Sequence, residues 1–271
     1  MPSRPCVPGS FLVALLAVTI SQSACDVEVR DGKTSFGLNA PQARQQWDRR
    51  YPISRGGQVE VVNLNGPIEV SVGGADSIEV HAVITAKALT EATAKEILSK
   101  GRIDETISPA RIKIETVVPR GVHGSYEVRY EVRVPVDAHA ELSTTNGSVK
   151  ADGLGGKLKA SVVNGAIDLA NLSGAVDAVG VNGHLSAKLA QVAAPVRLET
   201  TNGPLTLELP ATSKANLSAR AVNGALSVAG LSVESPTGRR IRSLETALNG
   251  GGPAIDLRTT NGRIDIFGMP R

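Results

Sequence analysis

Few residues in this chain have the types or the spacing that chemistry demands. The four histidines, His81, His123, His139 and His184, are scattered, and none has a second His or Cys at ligand spacing, so no zinc-type site is expected. The stretch "GGADS" (73–77) is similar to one corner of a calcium-binding repeat, but its third residue and its spacing are wrong and it occurs once. The patterns G-x-S-x-G, H-E-x-x-H and G-x-x-x-x-G-K are absent, which leaves no nucleophile elbow, metalloprotease helix or phosphate loop to expect. The expectation is a protein that is not an enzyme, with no catalytic residue, metal or cofactor.

One residue is a candidate for covalent modification. Arg4 makes a positive start, "FLVALLAVTI" (11–20) is a ten-residue apolar core, and "SQSAC" follows with small residues, the layout of an export signal. Ten apolar residues cannot span a bilayer as a helix, which takes about 20. The run Ser23-Ala24-Cys25 is similar to a bacterial lipobox, in which the Cys becomes the lipidated first residue of the mature chain. Gln22 departs from that pattern, since an aliphatic residue is usual there. Ordinary cleavage after Ser23 is the alternative. Cys6 is lost either way, so the mature chain keeps at most Cys25 and can build no disulfide framework.

The totals narrow the function classes. The chain has 271 residues, 41% of them hydrophobic, and a formal charge of +3 mixed evenly along its length, so no nucleic-acid partner is expected. Aromatic residues make up only 3% and Trp47 is the sole tryptophan, whereas surfaces that grip sugars or single strands stack them on such rings.

What the chain does carry is a repeat. Asn-Gly recurs at Asn65-Gly66, Asn146-Gly147, Asn164-Gly165, Asn182-Gly183, Asn202-Gly203, Asn223-Gly224 and Asn261-Gly262, with steps of 18, 18, 20 and 21 residues from Asn146 to Asn223. Six residues before each Asn stand Val59, Ala140, Leu158, Val176, Val196, Leu217 and Ile255. Four before stand Val61, Leu142, Ala160, Ala178, Leu198, Ala219 and Leu257. Three after come Ile68, Val149, Ile167, Leu185, Leu205, Leu226 and Ile264, and five after come Val70, Ala151, Leu169, Ala187, Leu207, Val228 and Ile266. Every column is apolar, while the residues between are mostly polar, as at Lys159, Asp168, Arg197 and Glu199. That period of two means strands with one buried face.

Each repeat therefore holds two strands, with Asn-Gly at a bend that tolerates positive φ. In successive hairpins the pair would form type I′ turns, leaving a long apolar face that only a barrel or sandwich could cover. In a two-sheet coil both apolar faces cover each other and each rung stacks on the next. The left-handed hexapeptide coil fails, because Leu158 is followed at six-residue steps by Asn164 and Ala170. The expectation is an all-β fold, a parallel β-solenoid of two-sheet coils of about 18–21 residues, with an antiparallel barrel or sandwich as the alternative.

The organisation follows. Residues 1–24 read as signal peptide, 25–50 as a polar tether with a short helix from Pro41 to Trp47, and 51–271 as the solenoid domain, with regular repeats over 138–267. Residues 75–137 interrupt the repeat with strands and one helix, "TEATAKEILSKG" (90–101), where Thr90 caps the start and Gly101 follows the end. This block is expected to cap or abut one end of the solenoid, whose open edge would otherwise invite aggregation.

The stretch "RRYPISRGGQVEVVNLNGPIEV", the helix insertion, the "TTNG" and "VVNG" rungs and the ending "LETALNGGGPAIDLRTTNGRIDIF" resemble the bacterial putative-adhesin domains, over about residues 50–267. The resemblance implies a right-handed parallel β-solenoid of an exported protein and brings no catalytic residue. A polysaccharide lyase would need clustered acids and bases on one face, whereas the outward charges here alternate from rung to rung, as at Lys159, Asp177 and Arg197. The reading is a lipid-anchored cell-envelope module, held to a membrane through Cys25, that binds an envelope protein or polysaccharide; a structural or signalling scaffold is the alternative. Binding anchors are usually aromatic or Arg. The candidates are Trp47 and Tyr51, "YEVRY" (126–130), and Arg239 and Arg240 in "GRRIR" (238–242); the aromatic ones could equally be core of the cap block.

Overall fold

In a computed structural model, residues 27–30, 33–36, 40–118, 120–121, 123–233 and 241–270 are described. The chain divides into two units, Met1–Ala40 and Pro41–Arg271. The first contains an antiparallel pair, β1 (Val27–Arg30) with β2 (Lys33–Phe36).

The second unit opens with β3 (Gln42–Pro52), β4 (Gln58–Asn65), β5 (Ile68–Val72), β6 (Ser77–Ala88), helix α1 (Glu91–Lys100), β7 (Arg102–Ile107), β8 (Arg111–Val117) and β9 (Gly124–Val134). Two-strand rungs follow: β10 (His139–Asn146) with β11 (Val149–Asp152), β12 (Leu158–Asn164) with β13 (Ile167–Leu172), β14 (Val176–Asn182) with β15 (Leu185–Leu189), and β16 (Val196–Asn202) with β17 (Leu205–Pro210). The chain ends with β18 (Ala215–Asn223), β19 (Leu226–Ala229), β20 (Ser243–Leu248), β21 (Ala254–Asn261) and β22 (Ile264–Met269). The first strand of each rung joins one ten-stranded sheet, ordered β20-β18-β21-β16-β14-β12-β10-β4-β8-β7. The second strand joins the other, ordered β19-β22-β17-β15-β13-β11-β5-β9-β6-β3.

The fold is therefore β-solenoid-like, with two parallel-dominated sheets and, among the described residues, no closed barrel. Successive rungs pair in phase, so Asn146 lies beside Asn164, Asn164 beside Asn182 and Asn182 beside Asn202. The four apolar columns point between the sheets and form the core, every member buried except Val228, which is half-buried near the end of the stack. Ala160, Ala178 and Ala187 leave room for the larger Leu158, Leu185 and Leu198 in this thin interior.

The rungs do not stack in chain order. The last one, β21 with β22, lies between β16–β17 and β18–β19. The simple rung-on-next expectation fails here because β20 returns antiparallel along the outer edge of β18. A strand coming back from β20 finds both of its edges paired only in the slot between β16 and β18, where its backbone groups are satisfied.

At the opposite end the interrupting block extends both sheets, with β7 antiparallel to β8 and with β6 antiparallel to β9 and β3. The Thr90 hydroxyl accepts from the Thr93 amide at 3.1 Å to start α1, and the helix buries Ala94 and Ile97. Residues 42–47, expected as helix, are strand, because all of β3 is in register with β6. Good helix formers such as Gln45 and Gln46 are overruled by that pairing. Strand thus begins within the stretch read as tether.

All three tyrosines are buried at this end of the solenoid, Tyr51 on β3 and Tyr126 and Tyr130 on β9. Tyr51 donates to the Glu105 carboxylate at 2.7 Å, joining β3 to β7, and Tyr130 shares a 2.7 Å bond with the Thr116 hydroxyl. Burial pushes all three phenols above the usual 10.0, Tyr126 up to about 12. The folded chain then keeps these protons longer than the unfolded chain does. Their contribution to stability is complete below about pH 10 and is lost as pH climbs through the raised values. A spectrophotometric titration should show phenolate only as the domain unfolds in alkali. A smooth curve near the ordinary tyrosine value, with the fold intact, would contradict this burial.

Candidate functional site

Seven Asn-Gly corners form a single ladder. Asn146 donates its side-chain amide to the Asn65 side-chain oxygen at 2.9 Å, and the same bond runs from Asn164 to Asn146, Asn182 to Asn164, Asn202 to Asn182, Asn261 to Asn202 and Asn223 to Asn261, at 2.8–2.9 Å. Asn65 ends the row by donating to the Tyr126 carbonyl at 3.2 Å. The glycines are there for closeness more than for φ. Gly66, Gly147, Gly165, Gly183 and Gly203 have positive φ, but Gly224 and Gly262 do not. What all seven share is a carbonyl so near that an added Cβ would meet it within 1.7–2.3 Å. The ladder thus ties each Asn to the next, as expected of a device that holds rungs together.

A second feature is a groove of about 1120 Å³ on the outer face of the sheet that runs from β19 to β3. Two rows of outward side chains line it, brought together by the register. One row runs Asp48, His81, Glu131, Glu69, Lys150, Asp168 and Ser186. The other runs Arg50, Glu79, Arg133, Ser71, Asp152 and Ala170, with Lys188 and Glu208 paired beyond. Ser71, Ala170 and Ser186 are short and keep the floor low, while the long strands β3, β6 and β9 carry Arg50, Glu79 and Arg133 along one side. Several charges are loosely paired, with Lys150 3.8 Å from Glu69, Lys188 3.6 Å from Glu208 and Arg50 3.7 Å from Glu79. Such exposed pairs are worth little to stability and exchange partners readily.

The outer face of the other sheet differs. Lys159 donates to Glu141 at 2.7 Å, which holds the Glu141 carboxyl below its ordinary range and the Lys159 ammonium above its own. Arg197 lies 3.5 Å from Asp177, so rung-to-rung alternation of sign becomes cross-strand pairing. Beside the Asn ladder runs a column of exposed apolar residues, Leu64, Val163, Val181 and Val222, 36–48% exposed and interleaved with Thr145, Thr201 and Thr260. It is one residue wide.

The other candidates separate. His81 contacts Asp48, His184 contacts Asp168 at 3.0 Å, and the His139 ring accepts from the Lys157 amide at 2.8 Å. Among the described residues no three His, Cys, Asp or Glu side chains gather as metal ligands would. Tyr51, Tyr126 and Tyr130 are core and cannot serve as surface anchors. Trp47 is half-buried, with the Arg49 guanidinium 4.8 Å from its ring centre. Cys25, Arg239 and Arg240 lie outside the described residues. The groove has no signature in the sequence, because its walls come from segments around 48, 81, 131, 150 and 168 that only the strand order makes neighbours.

The sequence model of the family described as Toastrack DUF4097 matches residues 18–267. The crystal structure of a putative cell adhesion protein from Clostridium sporogenes is 14% identical, covers 83% of this chain and 100% of its own, and superposes with a TM-score of 0.50. That of a putative adhesin from Bacteroides fragilis is 10% identical, covers 83% of this chain and 97% of its own, and has a TM-score of 0.37. The Clostridium likeness is one of fold. No curated protein matches the chain.

Proposed function

Because this chain belongs to the Toastrack DUF4097 family, we propose that it is an exported envelope protein that acts without catalysis, as an adhesin-like binding module. The observation that carries this reading is the groove, about 1120 Å³ in volume and lined by charges of both signs in loose pairs. Such a wall can re-pair with a charged polysaccharide or with a segment of an envelope protein at small cost. The description of the Clostridium sporogenes protein as a putative cell adhesion protein agrees with it. A scaffold would need no groove; it is the reading to fall back on if the groove binds nothing.

The test is a capture of envelope proteins and glycans by the mature domain. Arg133→Glu with Lys188→Glu should abolish capture, while Arg239→Glu with Arg240→Glu should leave it intact. The reverse result would move the binding surface to the segment that holds Arg239 and Arg240.

The membrane link proposed is a lipid on Cys25, supported by its place after the apolar core at 11–20. Cys25→Ala should shift the protein from the membrane to the soluble fraction. A wild-type mature chain that starts with unmodified Ala24 would end this part of the proposal.

A further inference from the structure

The sequence contains an eighth Asn-Gly pair, Asn249-Gly250, which stands outside the ladder. We propose that Asn249 is a site of spontaneous deamidation in the folded protein, and that the ladder shields Asn65, Asn146, Asn164, Asn182 and Asn202 from the same reaction. The reaction needs only water and base. Base removes the proton from the amide nitrogen that follows Asn, and that nitrogen attacks the side-chain carbonyl carbon. The bond from this carbon to the side-chain nitrogen breaks, ammonia leaves, and a succinimide ring remains. Water opens the ring to aspartate or isoaspartate, so one ammonia departs for each water taken up. Glycine in the following position lets it happen most easily, since no side chain hinders the attack.

At Asn65, Asn146, Asn164, Asn182 and Asn202 the ladder engages both the side chain and the following amide nitrogen. The side chains of Asn146, Asn164 and Asn182 each donate to one neighbouring Asn and accept from another. The nucleophilic nitrogens are held too: the amides of Gly147, Gly165 and Gly183 donate to the carbonyls of Asn164, Asn182 and Asn202 at 2.9–3.0 Å. Attack there requires rungs to separate, and a group reached only through local opening reacts in proportion to the open fraction.

Asn249 lies in a different setting. It is exposed, with φ of 47°, and its attacking nitrogen differs from those of the ladder: no described backbone carbonyl accepts from the Gly250 amide, and Gly250 has φ of 90° and nothing within 4 Å of where a Cβ would stand. The Asn249 amide donates to the carbonyls of Ala211 and Ser213 at 3.0 and 2.8 Å. These bonds tie the loop entering β21 to the turn that precedes β18. An aspartate cannot donate to either carbonyl, so the modification unfastens the rung that fills the slot.

The test is to keep the native protein at mildly alkaline pH and map aspartate and isoaspartate by peptide analysis. Asn249 should convert at least about tenfold faster than Asn146, Asn164 and Asn182. In urea that difference should vanish. Ladder residues converting as fast as Asn249 in the native state would overturn the proposal, as would an Asn249 that outlasts them. Asn249→Asp should lower Tm by itself; an unchanged Tm would refute the fastening role.

Discussion

Leu198→Asp should leave no folded domain, because it puts a carboxylate at a fully buried position of β16, flanked in register by Ala178 of β14 and Leu257 of β21. Neither neighbour can pair the charge, and an unpaired buried charge costs more than about 4 kcal/mol, a large part of the roughly 5–15 kcal/mol that holds a typical domain together. Its neighbour Glu199 points outward beside Arg197, with Arg258 next to it across the sheet. Glu199→Lys should cost no more than about 0.5 to 1 kcal/mol as an exposed change. Circular dichroism with urea titration separates the two. Equal damage from both would mean that inward and outward have been assigned to the wrong residues.

That contrast between residues 198 and 199 is legible in the amino-acid pattern alone, because burial on one face imposes a period of two. The same logic places nearly every core residue of the rungs, since each strand buries the same two columns whichever rung stands beside it. It cannot order the rungs. Asn202 and Asn223 carry equivalent signals, so nothing in the repeat says that Asn261 will come between them. One small cue exists: Thr200 and Thr259 occupy equivalent buried positions and pair in register, whereas Ala221 stands at that position in β18. The groove is hidden for a related reason. Glu69 and Glu131 are 62 residues apart in the chain yet directly opposed on β5 and β9, and the charges read singly as a solvated surface. Local propensity misleads only where a long-range partner is decisive, at residues 42–47, where β6 supplies the pairing.

Glycine is where sequence and structure give different reasons for the same residue, and substitution can tell them apart. Gly183 has φ of 140°, and an added Cβ would lie 2.0 Å from the Gly165 carbonyl oxygen of the next rung. The rungs there are tied by the Gly165 amide to the Asn182 carbonyl at 2.9 Å, by the Gly183 amide to the Asn202 carbonyl at 3.0 Å, and by the Asn182 side chain to Asn164 at 2.9 Å. Gly183→Ala must prise these apart while both strands stay clamped in their sheets, so it should cost about 3 kcal/mol or more through overlap and lost bonds. Gly56 is the control. Its φ of 65° is left-handed, yet nothing lies within 4 Å of its would-be Cβ, so Gly56→Ala should cost only about 1–2 kcal/mol of backbone strain. Urea denaturation of the two variants gives the comparison directly. If Gly56→Ala proved as damaging as Gly183→Ala, backbone conformation alone would explain the Asn-Gly repeat, and close stacking of the rungs would not be the reason that glycine recurs.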